Sequence, residues 1–289
     1  MLSQITQWRP GPLTRPRALP PSGTTDCHFH VFGPADRFPF SPERKFTPED
    51  ATSSDYLSIC RMLSIDRAVL VQPSVYAFDN HRLMSAAAEL PIPTRMVIMA
   101  PPEVSAQELE VFWNQGARGI RVIGTLPIGA PLSSLPELAG KLHERQWHIQ
   151  LLLNPRLLIE TEETLRELGC PIVIDHLAHI QCEKGIEQPA FKALLRLMTT
   201  GRLWVKLSAP YHLSVHSPLY DDLRPFISRL LDTRADRLLW GSDWPFVNHN
   251  NAAPDPADLM DAVLNWLPDE TTQRQVLVEN PAALYGFNS

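Results

Sequence analysis

Three stretches of this 289-residue sequence end in side chains that can do acid–base or metal chemistry. The first contains His28 and His30, the second ends in His176, and the third ends in Asp243. A neutral imidazole can donate a hydrogen bond or bind a metal ion, and an ionised carboxylate can take a proton from water. Each residue alone could instead be an ordinary buried histidine or a turn aspartate. Their combination predicts a hydrolytic site or a site for one divalent ion.

Short apolar runs alternate with amphipathic segments along the chain from residue 24 onward. Near-continuous Val, Ile and Leu is typical of strands in a parallel sheet that is covered on both faces. The predicted strands are 25–31, 67–72, 95–99, 119–123, 148–153, 172–175, 203–207 and 237–240. The predicted helices are 55–63, 80–90, 106–115, 135–145, 162–168, 190–200 and 220–231. Gly169 and Gly201 follow two of these helices, where a left-handed end is expected.

This alternation predicts an α/β fold, a (β/α)8 TIM barrel that forms a single domain over residues 24–289. A doubly wound open sheet is the competing architecture, but the sequence lacks the GxGxxG turn that such sheets often carry. Residues 1–23 are rich in proline and predict an extended N-terminal arm over the barrel or a neighbouring subunit. A homodimer is therefore one expectation.

In such a barrel the carboxyl ends of the strands meet at one mouth, where the four side chains would converge. His28 and His30 are two residues apart and should share the inner face of the first strand. Cys27 and Asp175 should point to the helix layer instead. Lys206 lies inside the seventh predicted strand and should pair with a neighbouring carboxylate.

The composition excludes several classes of protein. A net charge of -6 and a pI near 5.9 argue against nucleic acid as a partner. No apolar run approaches the roughly 18 residues of a membrane span, and the N-terminus lacks the apolar segment of a signal peptide. The four cysteines form no CxxC pair, which predicts reduced thiols and a cytoplasmic location. The expected partner is a small molecule.

Four motifs carry a family resemblance. They are DCHFHVFG at 26–33, VQPS at 71–74 with Asp79 and Asn80, IDH at 174–176, and WGSDWP at 240–245. They resemble the amidohydrolase superfamily, in particular the branch of 2-pyrone-4,6-dicarboxylate lactonases and related sugar-lactone hydrolases. The resemblance runs from about residue 24 to NPA at 280–282. It implies a barrel fold and hydrolysis of a lactone.

The resemblance also implies roles for individual residues. Asp243 would be the general base that activates the attacking water. The histidines around the lactone carbonyl would be His28, His30 and His176. Arg121, on the fourth predicted strand, would bind a substrate carboxylate, which a guanidinium can hold with two hydrogen bonds.

The sequence departs from this branch at positions that would meet a doubly charged substrate. Phe46 stands where a tyrosine is expected and His179 where an arginine is expected, and the segments after the fourth and seventh strands lack further arginines. Fewer cations predict a less charged pyrone-carboxylate, muconolactone-type or sugar lactone. Phe32 and Trp244 are expected as apolar walls of the pocket. Further candidates for substrate binding are Gln72, Ser74, Asn80, Asn154, Tyr211 and His212.

The same four side chains, His28, His30, His176 and Asp243, could hold one zinc or manganese ion. Metal-dependent members of the superfamily usually add a lysine on the fourth strand and a histidine on the fifth for a second ion. Here the fourth strand offers an arginine, and the fifth has its histidine at the start, far from the mouth. No cofactor, as in the pyrone-dicarboxylate branch, is the preferred hypothesis.

Two alternatives stay open on the sequence. One is a single-metal decarboxylase of an aromatic or related carboxylic acid in the same superfamily. The other is a catalytically inactive barrel that acts as a binding protein. The product, carbon dioxide or a ring-opened acid, separates the two enzymes, and a lack of turnover on any lactone would favour the inactive barrel.

Overall fold

The structure is a computed structural model that describes residues 14–143, 146–247 and 253–287. Within these ranges, eight parallel strands follow one another in sequence order around a nearly closed barrel. The strands are β1 (Thr25–Phe29), β2 (Arg67–Val71), β3 (Thr94–Ile98), β4 (Ala117–Ile123), β5 (His148–Leu152), β6 (Ile172–Ile174), β7 (Leu203–Ser208) and β8 (Leu238–Gly241). Each overlaps a predicted strand, and the predicted TIM barrel is confirmed.

Helices between the strands cover the outside of the barrel. They are α1 (Ser53–Leu63), α2 (His81–Glu89), α3 (Ala106–Asn114), α4 (Leu135–Leu142), α5 (Pro155–Glu167), α6 (Pro189–Met198) and α7 (Arg224–Arg234). After β8 come α8 (Pro256–Trp266), α9 (Glu270–Arg274), a π-helical turn (Gln275–Glu279) and α10 (Asn280–Tyr285). The end of the predicted helix 135–145 lies outside the described residues.

Two details of the helix prediction are wrong. The helix predicted from 162 begins at Pro155, because the Asn154 side chain accepts a hydrogen bond from the backbone N–H of Leu157 and proline suits a first helical position. Gly201 has the left-handed backbone expected after a helix, with φ +75°, but Gly169 does not.

The barrel closes between β1 and the segment after β8. The backbone N–H of Asp243 donates to the carbonyl of His28 (2.8 Å), and that of His30 donates to the carbonyl of Trp244 (2.8 Å). The two segments can approach closely because position 241 is glycine: a Cβ there would lie 2.6 Å from the Cβ of His28. Closure therefore holds two predicted site segments side by side.

A buried carboxylate, Asp26, fixes this seam. Its Oδ1 accepts from the backbone N–H groups of His28 (3.0 Å) and Ser242 (2.9 Å). Its Oδ2 accepts from the hydroxyls of Ser242 (2.5 Å) and Tyr56 (2.9 Å). Four donors on one carboxylate satisfy its charge and set the relative position of β1 and β8.

The first strand does not alternate regularly. Its register against β2 shifts, so that Cys27 and His28 both face the barrel interior. Cys27 packs among the valines of the interior, and the prediction that it faces the helix layer is therefore wrong. Phe29 does face outward, and its ring stacks on Tyr56 of α1 with centroids 3.6 Å apart.

The described part of the arm, residues 14–23, lies on the outside of the barrel. The backbone N–H of Arg17 donates to Asp261 of α8 (2.7 Å), and that of Gly23 donates to Asp66 (2.6 Å). Residues 1–13 of the predicted arm lie outside the described residues, and the homodimer stays a prediction. No helix in the described part of the chain has the length and apolar character needed to cross a membrane.

Candidate active site

A cavity of about 260 Å³ opens at the carboxyl ends of the strands. Its polar lining consists of His30, Ser74, Arg121, His176, His179, His212 and Asp243. Its apolar lining consists of Phe46, Pro73, Ile123, Leu126, Leu152 and Val247. The cavity therefore offers one apolar surface and one surface rich in imidazoles, with a single carboxylate.

The four side chains that were predicted to converge lie together: His30, His176 and Asp243 line this cavity, while His28 is fully buried beside them and is not part of the lining. His28 Nε2 is 3.3 Å from His30 Nε2 and 3.5 Å from Asp243 Oδ1. His176 Nε2 is 3.6 Å from the same carboxylate oxygen. All four residues are buried, so their interactions are weakly screened by water.

Unusual backbone conformations present two of these side chains. His176, Leu177, Ala178 and His179 follow β6 with φ between 47° and 54°, and Asp243 has φ 61°. Non-glycine residues rarely adopt this left-handed conformation, which costs about 1–2 kcal/mol per residue. Such strain is concentrated at functional sites, where packing elsewhere compensates for it.

Asp175 lies inside the barrel directly beneath the cavity, so the prediction that it points to the helix layer is wrong. Val173 already faces inward, and alternation along β6 carries Asp175 inward too. Its Oδ1 lies 3.2 Å from His28 Nδ1 and 3.4 Å from Lys206 Nζ. Its Oδ2 lies 3.4 Å from Arg121 Nη2. Burial opposes ionisation of Asp175, but these neighbours outweigh it and hold its pKa well below the ordinary value.

Lys206 is fully buried next to this carboxylate, as its predicted ion pair requires. Its Nζ also donates to Gln150 Oε1 (2.7 Å) and lies 3.2 Å from His28 Nδ1. Gln150 in turn donates from Nε2 to Asp175 Oδ2 (3.0 Å). We call Lys206, Gln150, Asp175 and Arg121 the subsite network.

Burial sets the protonation of the site. Desolvation lowers the pKa of His28 to about 3 and holds the pKa values of His30 and His176 well below the ordinary value. These imidazoles are therefore neutral at pH 7. Desolvation raises the pKa of Asp243 to about 7, while the hydrogen bond from Tyr211 and the charge of Arg121 oppose that rise. An acid with a pKa near 7 is well suited to general acid–base chemistry.

The segment after β7 supplies more of the site. The Tyr211 hydroxyl donates to Asp243 Oδ2 (2.5 Å), although Tyr211 does not line the cavity itself. His212 does line it, and its ring lies 5.5 Å from that of His179. The hydroxyl of Ser208 bonds His176 Nδ1 (2.8 Å) and so fixes that ring.

Several predicted binding residues serve the surrounding backbone. Gln72 Nε2 donates to the carbonyls of Ala77 and Asp79. Asn80 Nδ2 donates to the carbonyl of Met99, and Asn80 Oδ1 accepts from the backbone N–H of the same residue. The Asn154 side chain caps the N-terminus of α5. Among the predicted substrate contacts, Arg121, Ser74, Phe46, His179 and His212 line the cavity.

The two predicted apolar walls are absent from the described cavity lining. Phe32 pairs with Ala51 in a short bridge, and Trp244 packs against Tyr56 under α1. Both rings are fully buried behind the first strand and the segment after β8. The apolar wall instead comes from the strand ends and loops on the opposite side, which sequence patterns alone do not place.

The sequence did carry signals for the subsite network. Gln150 and Lys206 interrupt otherwise apolar strands, and a polar residue in a buried strand needs a partner inside the barrel. With Asp175 placed by alternation from Val173, the three would have been expected to meet. Only their pairing with His28 requires the three-dimensional structure.

Two buried groups of side chains have donor atoms close enough to hold a metal ion. One is His28, His30 and Asp243, and the other is His28, Asp175 and His176. Together the two groups comprise five residues, of which His28, His30, His176 and Asp243 are the four predicted ligands of a single ion and Asp175 is the addition.

The chain belongs to the amidohydrolase family, whose profile matches residues 25–287. It is 32% identical to the 4-sulfomuconolactone hydrolase of Hydrogenophaga intermedia, over 93% of this chain and 91% of that protein. It is 32% identical to the 2-pyrone-4,6-dicarboxylate hydrolase of Comamonas testosteroni, over 96% and 94%. It is 31% identical to the D-galactarolactone isomerase of Agrobacterium fabrum, over 94% of each.

Solved structures of similar proteins have the same fold. A probable 2-pyrone-4,6-dicarboxylic acid hydrolase from Acinetobacter baumannii, with citric acid bound, superposes with a TM-score of 0.82 and is 25% identical, over 92% of this chain and 100% of that one. A Burkholderia multivorans amidohydrolase with bound zinc is 17% identical with a TM-score of 0.70, over 94% and 100%, and shows the fold alone. The relatives of this chain therefore include proteins named for their action on lactones.

Proposed function

We propose that this chain hydrolyses a lactone and that Asp243 activates the attacking water. The observation that carries the proposal is the Asp243 carboxylate in the wall of a small cavity, with two neutral imidazoles 3.5 and 3.6 Å from one of its oxygens. The relatives that act on lactones support the same reaction class.

The reaction needs a base, a donor for the carbonyl oxygen and a route for the leaving group. Asp243 takes a proton from water as the water oxygen bonds to the lactone carbonyl carbon. The carbonyl electrons move onto oxygen, where N–H groups of His28 and His176 stabilise the oxyanion. The ring C–O bond then breaks, and the leaving oxygen takes the proton from Asp243. The product is the open-chain acid, and the carboxylate is regenerated.

The charges of the cavity favour a substrate with at most one anionic group. In the described lining, Arg121 is the one permanently charged cation, and it already donates to the carbonyl of Gln72 (2.9 Å) and pairs with Asp175. Burial lowers the pKa of His179, so this imidazole is neutral where a second carboxylate would need a cation. We therefore propose a neutral or singly charged lactone.

The histidines do not suit a metal ion as they are arranged, although the donor types and spacing do. A metal-ligating histidine normally donates its second ring N–H to a carboxylate, carbonyl or water. His30 meets this condition, since Nδ1 donates to the carbonyl of Val71 (2.7 Å). His28 Nδ1 lies 3.2 Å from both Lys206 Nζ and Asp175 Oδ1, and we infer that it accepts from the buried ammonium, because His28 Nε2 donates to His30. We therefore propose hydrolysis without a cofactor.

A panel of lactones matched in size but differing in charge tests this proposal. We expect kcat/KM for a monocarboxylate or neutral lactone to exceed that for 2-pyrone-4,6-dicarboxylate by about 10-fold or more, since an unpaired buried anion costs more than 1.4 kcal/mol. Activity should be unchanged after dialysis against a chelator. A preference for the dianion would contradict the charge argument, and release of carbon dioxide would indicate a decarboxylase.

The Tyr211 hydroxyl gives a second test. Replacing it in Tyr211→Phe removes a hydrogen bond that lowers the pKa of Asp243. Asp243 must be ionised to act, so kcat/KM should rise with pH through about 7 in the wild type and at a higher pH in the variant, by up to about one unit. Activity lost at pH 6.5 should return near pH 9. An unshifted profile would mean that ionisation of Asp243 does not cause the rise of kcat/KM with pH.

We also propose a reducing, cytoplasmic setting. All four cysteines are buried and unpaired, at positions 27, 60, 170 and 182. Free thiols are ordinary in reducing compartments and uncommon in secreted proteins of oxidising ones. Fractionation of cells that express the chain would check the location.

A further inference from the structure

Within the subsite network, Lys206 meets the candidate active site at one atom, His28 Nδ1. Lys206 Nζ lies 3.2 Å from it, and the two side chains are fully buried. Lys206 approaches from below the cavity, so it does not contact a substrate. In the described structure, His28 is therefore the one predicted catalytic residue that Lys206 contacts directly.

A series of hydrogen bonds runs from the carbonyl of Val71 through His30 and His28 to Lys206. The direction of each bond can be derived from the Val71 end. The carbonyl of Val71 can only accept, so His30 Nδ1 carries the proton in the 2.7 Å bond between them. The neutral His30 ring then has a lone pair on Nε2. His28 Nε2, 3.3 Å away, must be the donor of that bond.

The same tautomer of His28 follows from the Lys206 end of the series. An ammonium has three donors and no lone pair, so Lys206 can only donate to His28 Nδ1. Lys206 meets three acceptors within 3.4 Å: Gln150 Oε1, His28 Nδ1 and Asp175 Oδ1. A neutral His28 ring that accepts at Nδ1 has its proton on Nε2. Both ends of this series of hydrogen bonds therefore assign the same tautomer to His28.

Asp175 is the competing partner, because its Oδ1 also lies 3.2 Å from His28 Nδ1. A proton on Nδ1 could bond to this oxygen only with suitable alignment. Asp175, however, also has its Oδ1 3.4 Å from Lys206 Nζ, and the ammonium can donate to both this oxygen and His28 Nδ1. The ion pairs of Asp175 hold the lysine and the arginine in place.

We propose that Lys206 is a positioning residue that fixes His28 as the Nε2–H tautomer, so that this N–H, which donates to His30 Nε2 in the free protein, is shared with the lactone carbonyl oxygen when a substrate binds. The assignment deepens the proposed function, on which its kinetic consequence rests. It also argues against the pair His28 and His30 as a metal site, because an ion would need the lone pair of His28 Nε2, which is protonated in this tautomer. The network beneath the site thus decides which chemistry the histidines can perform.

Nitrogen-15 NMR of histidine-labelled protein tests the assignment without any substrate. In the wild type, we expect His28 Nε2 to have the chemical shift of a protonated ring nitrogen and Nδ1 that of an acceptor. The spectrum of His28→Asn assigns these signals. A proton on Nδ1, or the loss of the Nε2–H signal through a bound metal ion, would overturn the proposal.

Two variants separate positioning from a purely structural role. Lys206→Met removes the donor, so the proton should move to Nδ1 and face Asp175, and kcat should fall by about 100-fold with KM changed only a few-fold. Gln150→Met is the matched control, because Gln150 contacts Lys206 and Asp175 but has no hydrogen bond to His28. It should retain the wild-type tautomer.

The outcomes remain distinguishable from those of the proposed function. An unchanged tautomer in folded Lys206→Met would refute the role of the lysine. If Lys206→Met does not fold, the wild-type spectrum alone decides the assignment. Failure of every lactone in the panel would refute the proposed function, while the tautomer would still be read from the spectrum.

Discussion

Asp243→Asn is expected to lower lactone hydrolysis by at least about 1000-fold while the protein stays folded. An amide keeps the shape of the side chain but cannot accept a proton from water. Asparagine also tolerates the left-handed backbone at this position, where φ is 61°. Loss of turnover would therefore reflect the missing base rather than a changed turn. Single-turnover rates with the best lactone of the panel measure the effect.

The stability of the same variant provides an independent check. Burial raises the pKa of Asp243 from 3.8 to about 7, so the folded state favours the protonated carboxyl. The stability that this protonated form contributes is complete below about pH 4 and is lost as the pH rises through about 7. Asparagine has no proton to lose. At pH 8 the variant should therefore be more stable than the wild type, by about 1–4 kcal/mol.

Urea unfolding at pH 8 and pH 5 measures this difference, and the gain should shrink at the lower pH. Asp232→Asn, an exposed change on α7, is the control and should alter neither turnover nor stability. Turnover of Asp243→Asn within 10-fold of the wild type would contradict the role of Asp243 as the base. An inactive variant that is less stable at pH 8 would contradict the raised pKa.

The fold could be predicted because its signal is local. A βα repeat produces apolar runs for the strands, separated by amphipathic segments for the helices. Each predicted run overlaps an observed strand. The error at α5 has a local cause as well: the pattern of acidic residues at 162–163 concealed an earlier start, capped by Asn154. The helices after β8 follow no repeat of the barrel, and the sequence pattern did not indicate them.

The site could be predicted only in part, because two of its determinants are irregular. Alternation placed His28 and His30 correctly, but the bulge in β1 turned Cys27 inward as well. Both Asp175 and His176 face the interior or its mouth, because a left-handed turn begins where β6 ends. A rule of strict alternation allows only one of the two. Such turns depend on packing around them and leave no reliable mark in the sequence.

The second large effect concerns stability. Asp175→Asn is expected to lower the free energy of unfolding at pH 7 by about 3–5 kcal/mol. The carboxylate is fully buried and lies 3.4 Å from both Lys206 Nζ and Arg121 Nη2. Removing its charge leaves two buried cations without a counter-charge, which is the costly way to break an ion pair. Urea unfolding measures the loss.

The pH dependence of that loss has a defined sign. The pKa of Asp175 is held well below its ordinary value, so the ionised form contributes stability above the unfolded value of 3.8. The difference between wild type and variant should be constant near neutral pH and diminish only in acid. Asp236→Asn is the control, because Asp236 also pairs with two arginines but at the surface, where the cost should be below about 1 kcal/mol.

A double variant tests whether the cost arises from the unpaired cations. If it does, adding Lys206→Met to Asp175→Asn should restore about 1–3 kcal/mol, since one of the two uncompensated charges is then removed. If the two changes are simply additive, the carboxylate stabilises the barrel through its contacts with Arg121 and Gln150 rather than through Lys206. The coupling energy therefore measures how strongly the charge of Lys206 depends on Asp175, and with it the ability of that ammonium to hold the His28 ring.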